Sequence, residues 1–373
     1  MFLKNAWYVA ALESEIGRDL HAAKILGEEV VLYRKLDGEV VALEDACPHR
    51  KLPLSMGRLL DDAVECGYHG LTFDCSGSCI RAPGMTHIPK AAVVRSYPCA
   101  ERYGLVWIWM GDAALADPAS IMEVEQWGDP AWGMNSGDAM TIDCNYLYMT
   151  DNLLDPSHVS WVHQSSFGNA AIVGQPLQVD VKDDGVTVSR WMRDVEVAPF
   201  YAKFVKFQGN CDRKQQYEVR FPAHALIRAI FAPAGTGTDT EPFHPDVFLM
   251  DSYNFMTPID ENTTRYYWFQ MRNFSPDDEE VSRQFSEDVR HAFTEDRAVL
   301  TAVHAGIAKS PSKLDLPLDS GPLRFRRKLQ QMIDAELAAR DRAAGAPAAG
   351  VPAGDATSQA APRVRHHNTA VQA

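Results

Sequence analysis

Positive charge is in short supply: 36 lysines and arginines stand against 50 aspartates and glutamates, a formal −14 over 373 residues. A nucleic-acid binder needs a basic stripe that displaces counterions from phosphates, and this composition argues against one. An acidic surface better suits a basic electron-transfer partner. Long apolar runs are missing too. No stretch approaches the roughly 18 residues of a membrane span, and MFLKNAWYVAALESEI at the start has too short an apolar core for a secretory signal. The expected location is the cytoplasm, with no membrane association. Cysteine is sparse and odd in number, at seven, so a fully paired disulfide framework is excluded. Where cysteine sits beside histidine in a cytosolic chain, metal binding is favoured.

The length leaves room for two domains. From Trp7 to about Gly111 the chain reads as short strands: WYVAAL, KILGEEVVLYRK, EVVALED after an Asp37-Gly38 turn, LTFDCSGSCI around Ser76-Gly77, and YGLVWIWMG. A boundary is expected in the Ala/Asp/Pro stretch 112–120, and residues 121–140 carry no clear pattern. Strand-like alternation returns over 175–275, in LQVDVKDDGVTVSRW, KQQYEVRF, HALIRAIFA and TTRYYWFQMRNF, and reads as an antiparallel sheet walling a pocket. Residues 277–305 switch to helical spacing, and a last amphipathic helix follows Gly321-Pro322. Its RFRRK run reads as a solvated or subunit-facing surface. The Ala/Gly/Pro-rich end, 341–373, is expected to be disordered. The fold class is α+β.

Within the β half, Cys47-Pro-His49 and Cys66-Gly-Tyr-His69 lie sixteen residues apart, each at a loop tip. A 2Fe-2S cluster held by two thiolates on one iron and two neutral imidazoles on the other carries less negative charge than an all-cysteine cluster. Its potential is higher in consequence. Zinc is the rival, but zinc sites commonly pair Cys with Cys and His with His at short spacing, whereas each half here mixes the two. Cys75 and Cys79 flank a hairpin turn and read as ordinary packing.

The second constellation is NYLYMTDNLLDPSHVSWVH, 145–163. Asp155-Pro156 looks like a helix start, Asp as N-cap and Pro in the first turn, so a longer helix would break there. His158 and His163 are five apart, about 140° on an ideal helix. His163 must lie past the helix end, or a π-type widening must bring it round. Two such histidines alone could be core residues; a third ligand decides. Downstream, Val281, Phe285, Val289, Ala292, Val299 and Val303 make one apolar face. Counting about 100° per residue from Phe285, Asp296 falls near 20° and Glu295 near −80°. A lone carboxylate on a buried stripe costs several kcal/mol, on the order given for unpaired charges, unless paired or metal-bound. The choice falls on Asp296, with a salt bridge to Arg272 or Arg297 as the alternative. His158, His163 and Asp296 form the two-histidine, one-carboxylate set of non-haem Fe(II) oxygenases.

Taken together, CPHR, sixteen residues and CGYH, then Asn152-x2-Asp155-x2-His158-x4-His163 and a late helical Glu-Asp, resemble the Rieske non-haem iron aromatic-ring oxygenases over roughly residues 2–336. The resemblance implies an all-β Rieske domain (1–115) and a catalytic domain of antiparallel sheet and helices, helix-grip type (116–340). It implies Cys47, His49, Cys66 and His69 as cluster ligands, and His158, His163 and Asp296 around a mononuclear Fe(II). Asn152 and Asp155 would be catalytic, with Asp155 linking His158 to His69 of a neighbouring subunit in a head-to-tail trimer. Oxygen would be co-substrate, and electrons would come from NADH through a flavin and ferredoxin-type reductase. The chain is most similar to the short oxygenase subunits acting on vanillate-like methoxybenzoates or toluenesulfonate. O-demethylation or hydroxylation of an aromatic acid is expected, with methyl hydroxylation, ring dihydroxylation or plain electron carriage as alternatives. Arg190, Arg228 and Arg272 are candidates to meet the acid. The chain departs from the family where relatives often carry Glu and Gln after the Glu-Asp: it has Thr301 and His304, and His304 points away from Asp296 on the helical count.

Overall fold

The computed structural model describes residues 1–164, 166–168, 173–237, 243–311 and 314–345. Met1–Glu336 forms one compact unit. Its strands run, in chain order, β1 (Trp7–Leu12), β2 (His21–Ile25), β3 (Glu28–Arg34), β4 (Val40–Glu44), β5 (Arg58–Leu60), β6 (Ala63–Glu65), β7 (Thr72–Phe73), β8 (Cys79–Arg81), β9 (Ser96–Tyr97), β10 (Cys99–Arg102) and β11 (Leu105–Trp109). They make three small antiparallel sheets, β1-β11-β10, β2-β3-β4-β9 and β5-β6-β7-β8. Val31, Tyr33, Leu43, Val64 and Phe73 from the latter two, with Leu54 of the turn between them, close a core that also takes in Cys47 and Cys66.

Residues 133–142, unreadable in the sequence, form β12 (Gly133–Ile142). A register shift between Asn135 and Asp138 breaks its alternation. Two short helices follow, α1 (Tyr146–Asn152) and α2 (Val159–Val162). Then come β13 (Gln178–Val181), β14 (Gly185–Val195), α3 (Pro199–Ala202), β15 (Cys211–Arg220), β16 (His224–Pro233), β17 (Phe248–Pro258) and β18 (Thr264–Arg272). The large sheet is antiparallel and seven-stranded, in the order β12-β18-β17-β16-β15-β14-β13.

Because side chains alternate across a strand, this sheet has two working faces. Its back carries Tyr253, Phe255, Tyr267, Phe269 and Met271, packed with Trp7, Val9, Trp107 and Trp109 of β1 and β11 in one core. The join is also hydrogen-bonded: Thr257 Oγ1 donates to Val9 O (2.7 Å) and Tyr267 Oη to Ala10 O (2.9 Å).

Helix α4 (Glu279–Lys309) begins at Asp278, whose carboxylate accepts the Val281 N–H. It covers the sheet's front through Phe293, whose ring lies 5.1 Å from Trp268 and 5.2 Å from Tyr266. Its buried stripe is Phe285, Val289, Ala292, Phe293, Asp296 and Leu300. Of the expected stripe, Phe285, Val289, Ala292 and Asp296 are buried, Val281 is only partly covered, and the face fails at Val299 and Val303. Val299 and Val303 are 39% and 40% exposed. The last helix, α5 (Ser320–Gly345), takes Gly321-Pro322 into its first turn and runs past the expected tail boundary at 341. Residues 346–373 lie outside the described residues. The RFRRK run is not simply solvated: Phe325 is buried, and Arg326 forks onto Asp151 of α1 (2.7 and 2.6 Å). Among the described residues no helix is long and apolar enough to cross a membrane.

Candidate metal centres and cavity

Two loops of matching geometry present the cysteine and histidine pairs. Cys47 N–H donates to Leu52 O (2.9 Å) and Lys51 N–H returns to Cys47 O (2.8 Å). In the second loop Cys66 N–H donates to Leu71 O (2.8 Å) and Gly70 N–H returns to Cys66 O (3.1 Å). The residue four past each cysteine is left-handed, Lys51 at φ 58° and Gly70 at φ 71°, the backbone that glycine adopts without strain. Both cysteines are buried, while His49 and His69 are exposed with ring centroids 4.6 Å apart. Burial pushes the Cys47 thiol up and the neighbouring Cys66 adds to it. Burial beside Cys66 thus opposes ionisation of Cys47, and a bound metal cluster relieves that by taking the sulfur as thiolate. The donor set fits a 2Fe-2S group with its histidine side facing out.

On the other face of the large sheet, α1 ends at Asn152 and α2 begins only at Val159, so the expected break is real, but its cap is different. His158 is the residue at the N-cap, and the Asp155 carboxylate accepts the Ser157 N–H (2.8 Å). The main-chain carbonyl of Asp155, not its carboxylate, meets His158 Nδ1 (2.5 Å). His163 lies just past the end of α2, at φ −111°, ψ 41°. No π-type turn is needed to bring it round.

This places His158, His163 and Asp296 together, with one donor atom from each within 4.8 Å of the others. Asp296 Oδ1 is 3.2 Å from His163 Nε2 and 3.7 Å from His158 Nε2. Two bonds of about 2.1 Å meeting at right angles set their donors about 3 Å apart, so the spacing fits a first-row metal bound on one face. Burial opposes ionisation of Asp296, but the bond from His163, the charge of His158 and the Asn152 amide (3.2 Å) outweigh it and hold its pKa below the usual range. A salt bridge of Asp296 to Arg272 or Arg297 is absent among the described residues.

Sequence reasoning set Glu295 aside, yet its Oε2 lies 2.8 Å from His163 Nδ1. Burial works against a proton on His163; Asp296 and then Glu295 overcome it and raise its pKa. The paired acids in Glu295-Asp296 were the available signal: one meets each nitrogen of one ring. His304 packs its ring 5.7 Å from Tyr148, away from this cluster.

The three donors open on a cavity walled by Phe167, Tyr201, Tyr217, Ile227, Met250 and Phe293. Its polar floor is Ser252 and Gln270, joined at 3.0 Å and backed by Asn135 and Asn254. None of the three nominated arginines lines it. Arg228 is paired with Asp251 (2.7 and 2.6 Å), Arg190 donates to Gln215 and to Pro156 O, and Arg272 donates to Ser275 O and Ser282 Oγ beside the start of α4.

Residues 6–98 match the Rieske [2Fe-2S] domain, and residues 142–335 match the vanillate O-demethylase oxygenase C-terminal domain. The chain belongs to the Rieske non-haem iron oxygenases. The oxygenase is 37% identical over 342 residues to a putative toluene-4-sulfonate monooxygenase system iron-sulfur subunit of Comamonas testosteroni, covering 90% of this chain and 98% of that one. It is 36% identical to a vanillate O-demethylase oxygenase subunit of a Pseudomonas species, over 92% and 98% of the two chains. Dicamba monooxygenase crystallised with 3,6-dichlorosalicylic acid superposes with a TM-score of 0.83 at 32% identity, over 90% and 99% of the chains. As a Rieske oxygenase the protein uses a 2Fe-2S cluster and a mononuclear non-haem iron.

Proposed function

We propose that this oxygenase O-demethylates a methoxylated aromatic acid of the vanillate type, with methyl hydroxylation of a toluenesulfonate-like acid as the second reading. The observation carrying the proposal is the triad His158, His163 and Asp296 at the mouth of an aromatic cavity sized by Phe167, Tyr201 and Phe293. Relatives named as vanillate and dicamba O-demethylases and as toluenesulfonate monooxygenases support both readings.

In this reading Cys47, His49, Cys66 and His69 hold the cluster, and His158, His163 and Asp296 hold Fe(II). When bound, the two groups supply electrons and oxygen activation. The chain's own part is geometric. Phe167 and Tyr201 hold a ring flat, and the Ser252–Gln270 floor offers hydrogen bonds that fix its rotation, so that one methyl or methoxy carbon faces the triad. Asn152, donating to Asp296, keeps that carboxylate ionised and oriented. The main-chain carbonyl of Asp155 orients His158, which leaves the Asp155 carboxylate to meet His69 of a neighbouring subunit in a head-to-tail homotrimer. A flavin and ferredoxin-type reductase drawing on NADH is the proposed donor, and the cytoplasm the proposed location.

The test supplies the iron-loaded protein with such a reductase, NADH and a panel of methoxybenzoates, methylbenzoates and toluenesulfonate, following oxygen uptake and formaldehyde. Formaldehyde in step with oxygen from a methoxy substrate supports O-demethylation. A hydroxymethyl or diol product without formaldehyde moves the enzyme to hydroxylation. No substrate-dependent oxygen use would favour an electron carrier.

A further inference from the structure

Arg213 is 1% exposed, and its Nε and Nη1 have no hydrogen-bond partner. Its one bond runs from Nη2 to Phe167 O (2.9 Å), and among the described residues it has no carboxylate within ion-pairing distance. A buried guanidinium left in this state is costly unless an anion completes it.

Its position says where that anion comes from. Alternation along β15 puts Arg213 on the same face as Tyr217, which lines the cavity. The guanidinium carbon lies 5.3 Å from the ring centre of Tyr201 and 4.9 Å from that of Phe231. Burial raises the Tyr201 phenol while the charge of Arg213 pulls against it, so the cation lies against a ring of the cavity wall. The ring path from the metal triad to this point is short: His163 to Phe167 is 5.7 Å and Phe167 to Tyr201 is 5.8 Å. Arg272 is the other fully buried arginine with unpaired nitrogens, but it lies against Ser275, Ser282 and Phe274, none of which lines the cavity.

We infer that Arg213, acting with the Tyr201 hydroxyl, is the anion subsite of the cavity: it takes the carboxylate or sulfonate of an aromatic acid whose reacting substituent lies at the far side of the ring, toward His158, His163 and Asp296. The inference rests on the reading of this cavity as the substrate site. It makes Arg213 a specificity residue, with Tyr201 as its neighbour in the cavity wall.

The test compares charged and neutral probes on the iron-loaded protein. Binding of 4-methoxybenzoate and 4-toluenesulfonate is measured by calorimetry against 4-methoxybenzamide and methyl 4-methoxybenzoate, on wild type, Arg213→Met and Arg213→Lys. Wild type is expected to prefer the acids. Arg213→Met should lose roughly thirtyfold or more in acid affinity with little change for the neutral probes, and Arg213→Lys should recover part of it. In turnover the loss should fall on KM rather than kcat. Should Arg213→Met fail to fold, melting of the wild type decides: the acids raise its Tm and the neutral probes do not. Acids bound no better than neutral probes by wild type, no binding of any probe, or full discrimination retained by Arg213→Met would each overturn the subsite. Acid binding that depends on Arg213 without substrate-dependent oxygen use would sink the proposed reaction and leave the subsite standing.

Discussion

Glu295 Oε2 lies 2.8 Å from His163 Nδ1, while Asp296 Oδ1 lies 3.2 Å from Nε2 of the same ring. Consecutive acids on α4 thus hold one imidazole from both sides, the first fixing the tautomer that leaves Nε2 free to bind metal. Outer carboxylates of this kind are worth about 10- to 100-fold in metal affinity. Glu295→Ala should weaken Co(II) or Fe(II) binding at the mononuclear site by about that factor, with Glu295→Gln in between, measured by metal titration of protein stripped of that ion. Unchanged affinity in Glu295→Ala would show the contact to be incidental.

Asp296→Ala should remove the mononuclear iron and leave the 2Fe-2S absorption intact, because Cys47 and Cys66 sit in a separate core. Iron and sulfide analysis beside the visible spectrum checks both halves. Iron retained at the second site together with turnover would show that Asp296 is not a ligand.

His224 sits against the rings of Trp107 and Phe255, and its Nε2–H donates to Trp7 O at 3.0 Å. Burial pushes its pKa down from 6.5 to about 4. Below about pH 6.5 the unfolded chain takes a proton that the folded one refuses. The stability owed to neutral His224 is therefore complete above that pH and is lost as pH falls toward 4, on the order of 3 kcal/mol in all. His224→Gln should start lower in stability at pH 7 but lose less between pH 7 and 4.5, as read from urea unfolding. Parallel losses in the two proteins would refute the assignment.

Arg326 forks onto both oxygens of Asp151 at 2.7 and 2.6 Å, tying α5 to the helix that ends in Asn152. A half-buried bidentate pair of this geometry contributes about 1–3 kcal/mol. Arg326→Leu should lower unfolding stability by about that much and loosen Asn152 against Asp296, seen as weaker Co(II) binding. A variant as stable as wild type would mark the pair as a solvated contact.

Legibility in the sequence followed the range of the interaction. The cysteine and histidine loops could be read because each is closed by bonds spanning four or five residues. Asp296 could be read from helical period, since Phe285, Val289 and Ala292 are all buried on one side of α4. The same period misplaced Val299 and Val303, because whether a residue on the last turns of α4 meets a partner is a tertiary matter. Strand β12 hid behind two glycines and a register shift. Arg213 hid in CDRKQQY, where polar residues occupy both faces of the strand and nothing local says which face is buried. The Asp155 cap failed for a local reason: its carboxylate bonds two residues on, to Ser157, and the helix starts later.

The large sheet works as a party wall. Tyr253 and Phe255 face the half that carries the cysteine loops, and Met250 and Ser252 on the same strand face the cavity. Adding or deleting one residue in β17 would exchange the two sets, lining the cavity with the bulky aromatics and stranding the polar floor between layers. New cavity linings are therefore reachable by swapping side chains at alternate positions, while the length of these central strands is frozen. Insertions should accumulate in the connections at the sheet's ends, and a library that randomises Met250, Ser252 and Gln270 should keep folding where one that shifts the strand by a residue does not.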